Sequence, residues 1–240
     1  LAHHKGYLIG AILVIFWGLT LVNLYGFRVS ARITNICTFT GAMIPMILLV
    51  VLGVAWFFNG QPLQISMNME TIIPSLTDST NWVSLLAIMA CFLGVELSGV
   101  HVNDIHEPQR NFPKAILVAG FFVLVSMLFG SLAIAFILPS QEIHLAAGVI
   151  QVFTKFFSTY GMEWCVPIVT LLLVVGGIGS MVNWLISPAI GLLHAAEFGF
   201  IPSYFSRKNR HNVASKILLG QAVVVSVFCL AFLLIPNINA

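Results

Sequence analysis

Six long runs in this sequence carry almost no charge: Tyr7 to Phe27, Ile33 to Phe58, Trp82 to Asn103, Ala115 to Leu138, Trp164 to Ala196 and Ile217 to Ile235. A helix of roughly 20 apolar residues, rising about 1.5 Å per residue, crosses a hydrocarbon core about 30 Å thick, and these runs approach or exceed that length. Inside a bilayer no water satisfies backbone N–H and C=O groups, so each segment must close its own hydrogen bonds as a helix or join a closed barrel. Barrel strands are alternating stretches of about 10 residues, much shorter than these runs. The sequence therefore predicts an all-α, polytopic membrane helix bundle, organised as a single transmembrane domain over residues 1–240. Composition agrees, with 59% hydrophobic and 8% charged residues against roughly a quarter charged in a soluble domain. No water-soluble packing hides that much apolar surface.

Charge placement predicts orientation. With alternating spans, Arg28, Arg32, Arg110, Lys114, Arg207, Lys208, Arg210 and Lys216 fall on one side, and Lys5 and Lys155 on the other. Lysine and arginine concentrate in cytoplasmic loops, so the arginine-rich side is cytoplasmic and the chain is expected in the cell inner (plasma) membrane. The net charge of +2 then reflects topology and gives no reason to expect a nucleic-acid partner. The segment from Asn59 to Asn81, with Pro62, Pro74, Glu70 and Asp78, reads as a polar extracellular loop. Between Ser140 and Gly161, apolar residues at helical spacing predict an extracellular amphipathic helix at about 140–160.

Cys37, Cys91, Cys165 and Cys229 stand singly within apolar runs and read as small buried side chains, with no metal or redox spacing. No cofactor or metal is expected. Pro45 predicts a kink inside the second run. Gly176-Gly177-Ile178-Gly179-Ser180 concentrates small residues that let helices approach closely. It is not a dinucleotide loop, because Val182 replaces the last glycine and no strand precedes it. The chain begins at Leu1 without a methionine and stops at Ala240 just after a span, which is the pattern of a fragment.

Glu96 is the acidic residue that lies well inside a spanning run, 14 residues beyond Trp82, or about 21 Å along a helix. An ionised carboxylate at membrane depth costs on the order of 3 kcal/mol, so such a group normally faces a cavity, a partner or a proton path. Around it, Phe92-Leu93-Gly94-Val95-Glu96-Leu97-Ser98-Gly99 holds two glycines, each weakening a helix by about 1 kcal/mol. A discontinuous helix is therefore predicted near residues 92–99. Broken spanning helices expose unpaired backbone groups that bind the charged ends of a zwitterion, and an amino acid fits that description.

Phe92-x-Gly94-x-Glu96, followed by Pro108-Gln109-Arg110-Asn111-Phe112-Pro113, resembles the sixth transmembrane segment of the amino acid-polyamine-organocation transporter superfamily, which has the LeuT fold. Val100-His101-Val102-Asn103-Asp104 looks most like its glutamate/γ-aminobutyrate antiporter branch. Ala195-Ala196-Glu197-Phe198-Gly199-Phe200-Ile201-Pro202, then Asn209, is similar to the cytoplasmic end of the family's eighth segment. The resemblance covers segments four to nine of twelve. It implies a secondary amino acid transporter, with Cys91, Leu93 and Gly94 at the substrate, Trp184 closing over it, and Glu96 and His101 in gating or proton coupling. It also implies partners: the amino acid, the lipid bilayer, protons, and transmembrane segments outside these residues. Some positions depart from the family pattern. Glu107 stands where asparagine is usual, Asn212 and Ala214 replace a glycine and a proline, and Ala90 replaces the tryptophan of arginine/agmatine antiporters.

Rival readings are proton symport of a neutral or cationic amino acid and, more remotely, an intramembrane enzyme built on Ser98 and His101, which share a helix face. No oxyanion or aspartate partner is evident for that pair, so the chain is not read as an enzyme. His101 and His106, near Asp104 and Glu107, suit pH sensing, since histidine changes charge near neutrality. Arg207-Lys208-Asn209-Arg210 is a basic juxtamembrane cluster that either sets topology or attracts anionic lipid.

Overall fold

A computed structural model of the chain describes residues 5–65, 79–139, 142–143 and 147–231. The fold is all-α, with no strand among the described residues. In order, α1 is Lys5–Leu24, α2 Phe27–Thr38, α3 Ile44–Phe58, α4 Ser79–Ala90, α5 Pro108–Ile137, α6 Gly148–Thr159, α7 Cys165–Glu197 and α8 Ser215–Ala231. A five-residue π turn, Phe39–Met43, joins α2 to α3, and a 3₁₀ segment, Val95–Asp104, lies between α4 and α5. Five helical stretches are long and apolar enough to cross a bilayer, Gly6–Leu24, Phe27–Phe58, Asn81–Val102, Pro108–Ile137 and Cys165–Glu197, and Ser215–Ala231 is a shorter apolar helix. The extracellular loop expected from Asn59 to Asn81 lies outside the described residues over 66–78. So do parts of the amphipathic stretch, including Ser140 and Ala146, and the end of the sixth run at Ile235.

The chain divides into two compact units, Leu1–Thr38 with Gly177–Ala240, and Phe39–Gly176. In the first, α1 packs on α8 around Phe16, Leu185 and Ala222, and the Trp17 indole N–H donates to Ser226 Oγ at 3.0 Å. A second cluster gathers Ala189, Leu193, Ala214 and Leu218. The turn between α1 and α2 needs Gly26, whose φ of +114° is open to glycine and costly for other residues. At Gly179 an added Cβ would overlap that of Cys37, and Thr34 Oγ1 donates to the Gly179 carbonyl at 3.3 Å.

In the second unit α3 packs on α5, and the buried face of α6, made of Val152, Phe153, Phe156 and Phe157, joins the same core as Leu49, Trp56 and Ile137. The π turn has an identifiable cause. Pro45 has no N–H to give the Gly41 carbonyl four residues earlier, and its ring crowds that position, so the ladder widens by one residue just before it. Gly41 lies directly on Gly176, and a Cβ on either would overlap the other's backbone. Gly176 and Gly179 are thus close-approach positions, whereas a Cβ at Gly177 would meet nothing within 4 Å.

The reading of the four cysteines as buried is corrected: Cys91 is exposed and Cys37, Cys165 and Cys229 are half-buried. An apolar side chain in a membrane protein can be shielded by lipid as well as by protein, so apolar context alone does not place it in the core.

Among the described residues, two other than glycine adopt positive φ, Glu107 at 48° and Asn212 at 59°, and both are positions where the sequence departs from the family pattern. Asparagine adopts this left-handed region at a lower cost than glutamate. Glu107→Asn is expected to stabilise the protein by up to about 1 kcal/mol, read as a higher unfolding temperature in detergent. Gly41→Ala should destabilise it by about 1–3 kcal/mol through overpacking in the same assay. Gly177→Ala should be neutral or mildly stabilising.

Candidate functional site

The α-helical ladder of α4 ends at Ala90. The N–H groups of Cys91, Phe92 and Leu93 donate three residues back, to the carbonyls of Ile88, Met89 and Ala90, each at 3.1 Å. Gly94 then takes φ +100°, where a side chain costs roughly 1–2 kcal/mol. From Val95 the chain continues as 3₁₀ helix for 10 residues, although such runs seldom exceed three or four. The predicted discontinuity is present, and its hinge is the tetrad Cys91-Phe92-Leu93-Gly94 at the head of the predicted stretch.

The break closes its hydrogen bonds locally. Gly94 N–H donates to Glu96 Oε2 at 2.8 Å, so the carboxylate folds back onto the residue that interrupts the helix. Bonds of this kind to an ionised group are about twice as strong as neutral ones. Cys91 Sγ–H donates to the Ala87 carbonyl at 3.3 Å, the acceptor an unbroken helix would have paired with the Cys91 N–H. Ser98 Oγ donates to the Val95 carbonyl at 2.6 Å. Cys91, Gly94 and Glu96 are thereby brought together within six residues, with Leu93 67% exposed beside them. His101 lies further along the same 3₁₀ segment and is half-buried.

Trp184 belongs to the first unit, on α7, and is 49% exposed. Pro188, four residues on, cannot donate to the Trp184 carbonyl, so that carbonyl lacks its intrahelical partner although α7 runs on unbroken to Glu197. Among the described residues no three of His, Cys, Asp and Glu gather as metal ligands.

Two asparagines carry structural work that the sequence reading did not assign. Asn23, fully buried in α1, donates from Nδ2 to the Val182 carbonyl at 3.2 Å, while its Oδ1 has no protein partner among the described residues. The available signal was an amide within an apolar run, which is costly unless bonded. Asn209 donates to the Leu24 carbonyl at 2.8 Å and accepts from the N–H groups of His211 and Val213 at 2.9 and 3.0 Å. It ties the loop before α8 to the end of α1.

Spanning helices, one of them broken beside a carboxylate, define a polytopic membrane protein of the cell's inner (plasma) membrane. The family model described as amino acid permease matches residues 3–240, and the chain belongs to that family. It is 32% identical over 240 residues to an uncharacterized transporter of Legionella pneumophila, covering 100% of this chain and 52% of the relative. It is 28% identical to the glutamate/gamma-aminobutyrate antiporter of Lactococcus lactis subsp. cremoris, over 90% of this chain and 44% of the relative. It is 24% identical to the putrescine transporter PotE of Escherichia coli K12, over 96% of this chain and 50% of the relative. The chain thus spans about half the length of the curated relatives it matches.

Gly94→Ala is expected to cost about 1–2 kcal/mol and to disturb the break. Gly99→Ala, where an added Cβ meets nothing within 4 Å, should cost little. Thermal unfolding of the two variants side by side checks this.

Proposed function

We infer that the whole protein is a secondary active amino acid transporter, an antiporter that exchanges glutamate for γ-aminobutyrate by alternating access. The observation that carries this reading is the Gly94 N–H bond to Glu96 at the helix break: a carboxylate engaged with the backbone at membrane depth links protonation to the shape of the break. Backbone groups around Cys91, Leu93 and Gly94 hold the substrate ammonium. Trp184 closes over it, and Glu96 with His101 couples gating to protons. The likeness to glutamate/gamma-aminobutyrate antiporters supports the substrate pair.

No residue of Asn81–Val102 is buried, and an apolar segment so open needs covering surface. Lipid and transmembrane segments outside these 240 residues supply it, and those segments form the opposing wall of the site. Six crossings within a single transmembrane domain, with the amphipathic helix outside, complete the proposed arrangement. A second reading, proton symport of a neutral or cationic substrate, draws support from the likeness to putrescine transporters. The enzyme reading is weakened because the Ser98 hydroxyl donates its hydrogen bond to the Val95 carbonyl.

Counterflow into vesicles containing full-length protein tests this. Labelled glutamate should enter only when γ-aminobutyrate or glutamate is trapped inside, and uptake into empty vesicles driven by a proton gradient would favour symport instead. Glu96→Gln keeps an acceptor for Gly94 N–H but removes the ionisable group. It should flatten the pH dependence of transport and slow it on the order of tenfold, as expected when a charged hydrogen bond of about 1.5–3 kcal/mol becomes neutral. An unchanged pH profile would rule out the coupling role.

A further inference from the structure

A cavity of about 500 Å³ at the cytoplasmic end of α1 is lined by Leu21, Leu24, Tyr25, Asn209, Arg210 and His211. All six belong to the first unit. Its chemistry is two-sided. Leu21 and Leu24 form an apolar wall on the last turns of a spanning helix, while the loop side supplies hydrogen-bond donors. Arg210 Nε donates to His211 Nε2 at 3.1 Å, which fixes Nε2 as acceptor and leaves the proton of the neutral ring on Nδ1. The Arg210 Nη groups, the His211 Nδ1–H and the Tyr25 hydroxyl supply further donors on that side, with the Tyr25 and His211 rings 5.9 Å apart.

No lining residue carries a carboxylate. The nearby acid in sequence, Glu197, is already paired with Lys208 at 2.7 Å. The negative end of the α1 dipole would oppose an anion here, but Asn209 Nδ2 already occupies the Leu24 carbonyl. Tyr25 and Leu21, 61% and 52% exposed, leave the cavity open at bilayer-surface level.

We propose that this cavity is a binding site for an anionic phospholipid, with the phosphate on Arg210, His211 and Tyr25 and an acyl chain along Leu21 and Leu24. Basic pockets beside spanning helices on the cytoplasmic side recognise such headgroups. The Arg207–Arg210 cluster is therefore not one uniform patch: Lys208 is neutralised by Glu197, and Arg210 is the cation that faces a cavity. This inference does not depend on the transport reading, because its readout is lipid binding.

The test uses full-length protein in uncharged detergent, titrated with short-chain phosphatidylglycerol, phosphatidylcholine of the same chain length, or glycerol phosphate, with binding read by native mass spectrometry. Phosphatidylglycerol should bind in preference to both others. Arg210→Gln should weaken it about fivefold, the worth of one basic residue at an anionic surface. Tyr25→Phe, which keeps the ring, should weaken it less, and Arg207→Gln should leave it little changed. Equal loss in Arg207→Gln and Arg210→Gln would mean diffuse attraction and overturn the site. Glycerol phosphate competing as well as the lipid would make it a site for soluble anions, and binding unaffected by Arg210→Gln would also overturn the proposal.

Discussion

Backbone hydrogen bonding inside hydrocarbon is the constraint on which the rest depends. Each N–H or C=O left open there costs several kcal/mol, so a spanning helix can be interrupted only where substitutes are at hand. At Cys91–Gly94 the substitutes come from the interrupted segment itself: three-residue backbone bonds, a thiol on the Ala87 carbonyl and a carboxylate on the Gly94 N–H. Glu96 is thus both the costly group in the span and part of what makes the break affordable. The π turn before Pro45 solves the same problem differently, by widening the ladder where a donor is missing.

Much of this could be read from residue order. Uncharged length announces spanning helices, two glycines beside a carboxylate announce the break, and a proline announces the distortion before α3. What the sequence could not give is which member of each small-residue group is in use. Gly176 and Gly179 are filled by Gly41 and Cys37, while Gly177 faces open space. Three glycines within four positions look alike on paper because their roles depend on helix rotation, which partner helices set. In the same way, the basic string Arg207-Lys208-Asn209-Arg210 resolves into one ion pair, one loop-tying amide and one cavity-facing cation only once the loop has folded.

The departures from the family pattern were visible as spelling and became intelligible as geometry. Glu107 and Asn212 sit at positive φ, where asparagine and glycine are the residues that pay least. Asn212 is a near-equivalent solution. Glu107 is a strained one, held by two bonds to its own carbonyl from Arg110 and Asn111 N–H groups at 3.0 Å and by the fixed geometry of the following proline.

The 3₁₀ segment from Val95 to Asp104 also stores length. Its 10 residues rise about 2.0 Å apiece, against about 1.5 Å in an α-helix, so rewinding it would draw its ends together by roughly 5 Å. Each backbone donor would exchange the carbonyl three residues back for the one four residues back, so none would be abandoned to hydrocarbon. The span can therefore telescope at nearly constant hydrogen-bond count, carrying Glu96 and His101 along and around its axis as it does so.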